Sequence, residues 1–124
     1  MRIGVPKEIK THEYRAGLTP PSVRELTGHG HEVLVQAGTG GGIGCDDAQY
    51  VAAGARIVPD AKAVFAEAEM IVKVKEPQPD ECRMLRKGQL LFTYLHLAPD
   101  RQQTIALLES GCTAIAYETI TDAR

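Results

Sequence analysis

Three side chains in this sequence are of the kinds that grip and process a small carboxylate: Arg15, Lys75 and His96. A guanidinium is a planar fork that takes a carboxylate through two parallel N–H bonds. An ammonium supplies a point charge for a second oxygen or for a carbonyl. An imidazole, with an unperturbed pKa of about 6.5, gives and takes a proton near neutral pH. Such a trio suits a 2-oxo or 2-amino acid. Each residue alone also has a plainer reading: Arg15 as a surface loop residue, Lys75 as a solvated strand end, His96 as a half-buried imidazole.

To act together the three must be carried to one place by the elements between them. Arg2 to Val5 is a short apolar segment ended by Pro6, and Arg15 lies in the polar stretch that follows. Thr19 and Pro20 open a helix as N-cap and first helical residue, and the helix stops at Gly28 or Gly30. Glu32 to Gln36 reads as a strand, as do Arg56 to Val58, Met70 to Lys75, Gln89 to Leu95 and Cys112 to Ala116. Between them lie helical segments: one capped by Asp46, one from Asp60 to Glu69, a turn or two from Pro79 to Arg86, and one opened by Pro99-Asp100 and stopped by Gly111. Strands alternating with helices imply an α/β fold, a Rossmann-like, mainly parallel sheet with helices on both faces. In such sheets ligands bind outside the carboxyl ends of the strands. Period-2 alternation puts Ile71, Lys73 and Lys75 on one face, and Phe92, Tyr94 and His96 on one face. Lys75 and His96 then end two strands, and Arg15 follows a third.

Composition removes other classes. The 124 residues make one domain, with 14 Lys plus Arg against 16 Asp plus Glu and a formal charge of −2. No basic excess supports nucleic acid or an anionic membrane as partner. No apolar run approaches the roughly 18 residues of a membrane helix, and the N-terminus shows no secretory signal. Cys45, Cys82 and Cys112 are odd in number and far apart, so no disulfide framework or metal spacing is expected, and the compartment expected is the cytoplasm. His29-Gly30-His31 reads as a turn rather than a metal site. No G-x-S-x-G pattern is present. The loop Gly38 to Gly44 follows a strand and imitates a dinucleotide fingerprint, but its spacing is wrong, and Asp46 and Asp47 at the next helix start would repel a pyrophosphate. It reads as a flexible loop.

Longer motifs point further. The opening Met-Arg-Ile-Gly-Val-Pro-Lys-Glu, the loop Glu13-Tyr14-Arg15-Ala16-Gly17-Leu18-Thr19-Pro20, and the stretches Val72 to Pro77, Phe92 to Ala98 and Ala116 to Thr119 closely resemble the alanine dehydrogenase family. The likeness covers the whole chain and lies in that family's N-terminal, substrate-binding part. It implies reversible, NAD-dependent oxidative deamination of L-alanine to pyruvate and ammonia. It also implies that Arg15 holds the substrate carboxylate, that Lys75 contacts carboxylate and carbonyl, that His96 is the proton donor and acceptor, and that Tyr94 lines the pocket. The family's NAD-binding domain and its C-terminal return segment have no counterpart in residues 1–124. The substrate domain is therefore expected to be incomplete and the chain alone inactive, with NAD bound elsewhere and a homo-oligomer, usually a hexamer, at full length. The related transhydrogenases share the opening motif but resemble the chain less at Lys75 and His96. A stand-alone module binding small carboxylates is the non-catalytic alternative.

Overall fold

The computed structural model describes residues 1–123. Six strands, β1 (Arg2–Val5), β2 (Glu32–Gln36), β3 (Arg56–Val58), β4 (Met70–Val72), β5 (Leu90–Thr93) and β6 (Thr113–Ala116), form one sheet in the order β3-β2-β1-β4-β5-β6. Every pairing is parallel. Five α-helices link them: α1 (Pro20–Gly28), α2 (Asp47–Ala52), α3 (Ala61–Glu67), α4 (Pro79–Met84) and α5 (Arg101–Ser110). The expected alternation and the Rossmann-like class are both realised.

The strand pleat divides the core in two. Ile3, Val5, Val33, Val35 and Val72 pack with Val23 of α1 and Tyr50 of α2. Leu34, Ile71 and Leu91 point the other way, onto α3, α4 and α5 through Val64, Phe65, Cys82 and Leu107. Near-continuous apolar strands follow, because both faces are covered. Helix starts obey the side-chain logic read from sequence. Asp46 accepts from the Gln49 N–H in a capping box, Asp60 from Ala63 and Asp100 from Gln103. Thr19 occupies the N-cap position of α1 but makes no side-chain cap, and Pro20 alone sets that start.

Cover thins along one row. Val72, Phe92 and Ile115 lie in register across β4, β5 and β6. Val72 is buried, Phe92 is half-buried, and Ile115 is 39% exposed.

Two expected strands end early. The segment 70–75 stops pairing as a regular strand at Val72, and 89–95 yields only Leu90–Thr93. After β4 the reason is Glu8, whose carboxylate takes the N–H groups of Val74 and Lys75, both at 2.7 Å, in place of a ladder partner; after β5 it is Glu118, which takes those of Leu95 and His96. The loop 38–44 is also packed rather than flexible. It holds a 3₁₀ turn at Gly41–Ile43, Thr39 is buried, and Asp47 accepts from the Gly38 N–H at 2.9 Å.

Candidate functional site

The helices after β1 and β4 leave the sheet on opposite faces, so the carboxyl ends of these neighbouring strands open a crevice, the switch point where open α/β sheets bind ligands. Its floor is a buried ion cluster. Glu8, three residues past β1, pairs with the ammonium of Lys73, the first residue past β4. Glu81 of α4 stands 2.9 Å from the same ammonium, and all three side chains are buried. Burial pushes the Glu81 carboxyl above its ordinary value, against the pull of Lys73, and the Glu8 charge adds to the rise.

Above this floor runs the loop that carries Arg15. Two glycines fix it by close approach. A Cβ on Gly17 would lie 2.5 Å from the Val72 carbonyl oxygen, and one on Gly42 would lie 2.4 Å from that of Tyr14. Glu13 accepts from Arg15 Nε at 2.8 Å, Nη2 at 2.9 Å and the backbone N–H at 3.1 Å. These bonds from Arg15 hold the Glu13 carboxyl down at about 2. One edge of the guanidinium is thus taken, while Nη1 makes no hydrogen bond among the described residues. Arg15 lines a hollow of about 340 Å³ together with Lys73, Tyr94 and Tyr117.

The aromatic wall comes from β5 and the residues after it, and from Tyr117 in the 3₁₀ turn that follows β6. Tyr117 meets Phe92 edge-on at 4.3 Å and Tyr94 at 4.9 Å between ring centroids. Its hydroxyl donates to the Lys73 carbonyl at 3.1 Å, and burial pushes its pKa up to about 12. Tyr94 stacks on His96 at 6.2 Å. His96 itself has φ +47°, a left-handed conformation that a side chain rarely adopts and that marks local strain. Glu118 holds that turn by accepting the N–H groups of Leu95 and His96 at 3.0 and 2.9 Å. Its Oε1 lies 4.0 Å from His96 Nδ1. His96 and Lys75 line a second hollow, of about 440 Å³.

Residues 4–124 match the family model described as alanine dehydrogenase/PNT, N-terminal domain. The chain belongs to that family. It is 58% identical over 121 residues to the alanine dehydrogenase of Halomonas elongata, covering 98% of this chain and 33% of that protein. A solved L-alanine dehydrogenase superposes with a TM-score of 0.96 at 54% identity, over 99% of this chain and 34% of the other. The transhydrogenase from Sinorhizobium meliloti superposes with a TM-score of 0.89 at 29% identity, over 98% and 37%. The chain spans about a third of the length of the relatives it matches.

Within this alanine dehydrogenase/PNT domain the four sequence-selected residues divide between two adjoining hollows. Arg15 and Tyr94 line one, Lys75 and His96 the other, on either side of the end of β4. The Tyr94–His96 stack connects them. Sequence reading missed Glu8, Lys73, Glu81, Tyr117 and Glu118, and favoured a plain surface place over a pocket for Glu13, which the structure bonds to Arg15. Only Lys73 had a visible signal: a charge on the face of Ile71, where alternation points inward. The Gly38–Gly44 loop does not fit a dinucleotide. A Cβ on Gly40 would meet the Cys45 carbonyl oxygen at 2.2 Å, the Gly38 N–H is bonded to the Asp47 carboxylate, and α2 is short.

Proposed function

We propose that this chain is the substrate-holding part of an NAD-dependent L-alanine dehydrogenase, which interconverts L-alanine and water with pyruvate and ammonia. The observation that supports the reading is that Arg15, Lys75 and His96 follow the carboxyl ends of β1, β4 and β5, Arg15 in one hollow and Lys75 with His96 in another, in a chain 58% identical to an alanine dehydrogenase. Arg15, with the Nη1 edge of its guanidinium open, binds the substrate carboxylate. Lys75, whose ammonium makes no hydrogen bond among the described residues, holds the carbonyl oxygen. Tyr94 walls the space between them, and His96 exchanges a proton with the water or ammonia that adds or leaves. NAD would supply the hydride acceptor; by family resemblance it is held by residues outside this chain. The active protein is a cytoplasmic homo-oligomer, a hexamer by family resemblance, with neither nucleic acid nor membrane as partner. No described helix is long and apolar enough to cross a membrane. The transhydrogenase likeness favours a second reading, in which the domain serves hydride exchange between nicotinamides. Lys75 and His96 favour the first.

Calorimetric titration with pyruvate tests this. The protein is expected to bind it, and Arg15→Ala to weaken binding by about 1.5–3 kcal/mol, roughly ten- to a hundredfold. L-alanine with NAD is expected to yield no NADH from residues 1–124 alone. Equal affinity for pyruvate in parent and Arg15→Ala would remove the assignment.

A further inference from the structure

Residues 6–19 form the long connection between β1 and α1, and Arg15 extends from it into water over most of its side chain. A connection of that length without regular structure is mobile unless other elements tie it down. One neighbouring unit, running from the end of β2 through α2, ties it on both sides of Arg15. On the far side is Tyr50 of α2, whose hydroxyl donates to the Leu18 carbonyl at 2.7 Å. The Tyr50 ring is buried in the core of that face, and burial pushes its pKa up to about 12, so the hydroxyl stays a neutral donor. The helix that carries it is fixed at its start by the Asp46 capping box. On the near side is Gly42, in the 3₁₀ turn before α2. It lies flat against Tyr14: besides the carbonyl oxygen, an added Cβ would meet the Tyr14 Cβ at 2.9 Å. Ile43 of the same turn lines the hollow that holds Arg15.

Resting on the dehydrogenase reading, we infer that Tyr50 and Gly42 are positioning residues for Arg15, holding its loop from both sides so that the guanidinium stands ready before the substrate carboxylate arrives. Neither residue lines the hollow, so each acts through Arg15. Fixing the loop in advance removes an ordering cost from binding. It also sets where the guanidinium fork stands, and a paired bond to a carboxylate depends on that placement. Glu13 orients the guanidinium within the loop, whereas Tyr50 and Gly42 place the loop itself. The glycine-rich segment 38–44 thereby has a task. Its glycines permit close approach, Gly40 to the Tyr50 ring and Gly42 to Tyr14.

The test is pyruvate titration of Tyr50→Phe, which removes one oxygen, and of Gly42→Ala, with Gly41→Ala as control. Neither Gly41 nor Gly42 has a left-handed backbone, but an added Cβ on Gly41 meets nothing within 4 Å. Tyr50→Phe is expected to weaken binding about threefold or more, and Gly42→Ala about tenfold or more. Gly41→Ala should change it less than about twofold. In an Arg15→Ala background Tyr50→Phe should add nothing, because the residue it acts through is gone. Unchanged affinity in Tyr50→Phe or in Gly42→Ala overturns the role of that residue. A loss in Gly41→Ala equal to that in Gly42→Ala overturns the role of Gly42. A full further loss in the Arg15→Ala background means general loosening and overturns the inference. A parent that binds no pyruvate sinks the dehydrogenase reading instead, and the ligand-free protein then decides. The Arg15 Nε–H signal in NMR, protected by its bond to Glu13, should persist in Gly41→Ala and broaden or vanish in Tyr50→Phe and Gly42→Ala. The same signal in all of these variants overturns the positioning role.

Discussion

The molecule holds carboxylates against cations in two ways a few residues apart, and the contrast separates scaffold from working part. In the crevice floor, Glu8, Lys73 and Glu81 have side chains 1–2% exposed. At the rim, Arg15 is 60% exposed while its partner Glu13 is 6% exposed. A buried charge left without its partner is costly, so the floor cannot rearrange without loosening the fold. A pair whose cation stands mostly in water contributes less, and that cation can take up a second partner. Glu8 therefore fixes the backbone of Val74 and Lys75, whereas Glu13 holds Arg15 in place without consuming the whole guanidinium.

The sharpest break of this contrast is Lys73→Met. Removing the buried ammonium leaves two carboxylates facing each other, and a loss of about 3–5 kcal/mol is expected from urea unfolding. A loss below 1 kcal/mol would show that the floor is solvated and the contrast false. Next come opposite responses to pH. The Glu13 carboxyl is lowered in the folded protein from 4.5 to about 2, so its contribution is present above 4.5 and is lost as pH falls toward 2. The Glu81 carboxyl is raised from 4.5, so the folded state holds an extra proton just above that value, and stability falls as pH rises through the window. Stability curves of Glu13→Gln and Glu81→Gln should each lose one of these slopes, Glu13→Gln below pH 4.5 and Glu81→Gln above it. Identical curves would deny that burial distinguishes the two groups. The smallest effect is Glu13→Gln at neutral pH, expected to cost about 1 kcal/mol or less in the same urea assay. A cost as large as that of Lys73→Met would place the rim pair among the structural contacts.

Much of the fold was legible because period, caps and glycine stops agree. Asp46, Asp60 and Asp100 cap the helices they were read to start, and Glu32–Gln36 is the strand its β-branched run implied. The site was legible in residue type and less so in geometry. Alternation carried through 71–75 and 92–96 assumes a ladder that continues. In fact Glu8 captures two backbone donors after β4, and His96 turns into the left-handed region after β5. Neither Glu8 nor Glu118 carries a local pattern, since each acts across the sheet on backbone far away in the chain. Glycines were read as looseness in 38–44, whereas close approach requires them at Gly40 and Gly42.

The central place of β1 bears on the order of assembly. Its partner β2 follows it closely, but β4 returns to its other side, and the Glu8–Lys73 contact closes a span of 65 residues. Closing so wide a loop is entropically late, and the reward comes only after the intervening half-sheet exists. The crevice exists only once β4 lies beside β1, because its floor joins Glu8, just past β1, to Lys73, just past β4.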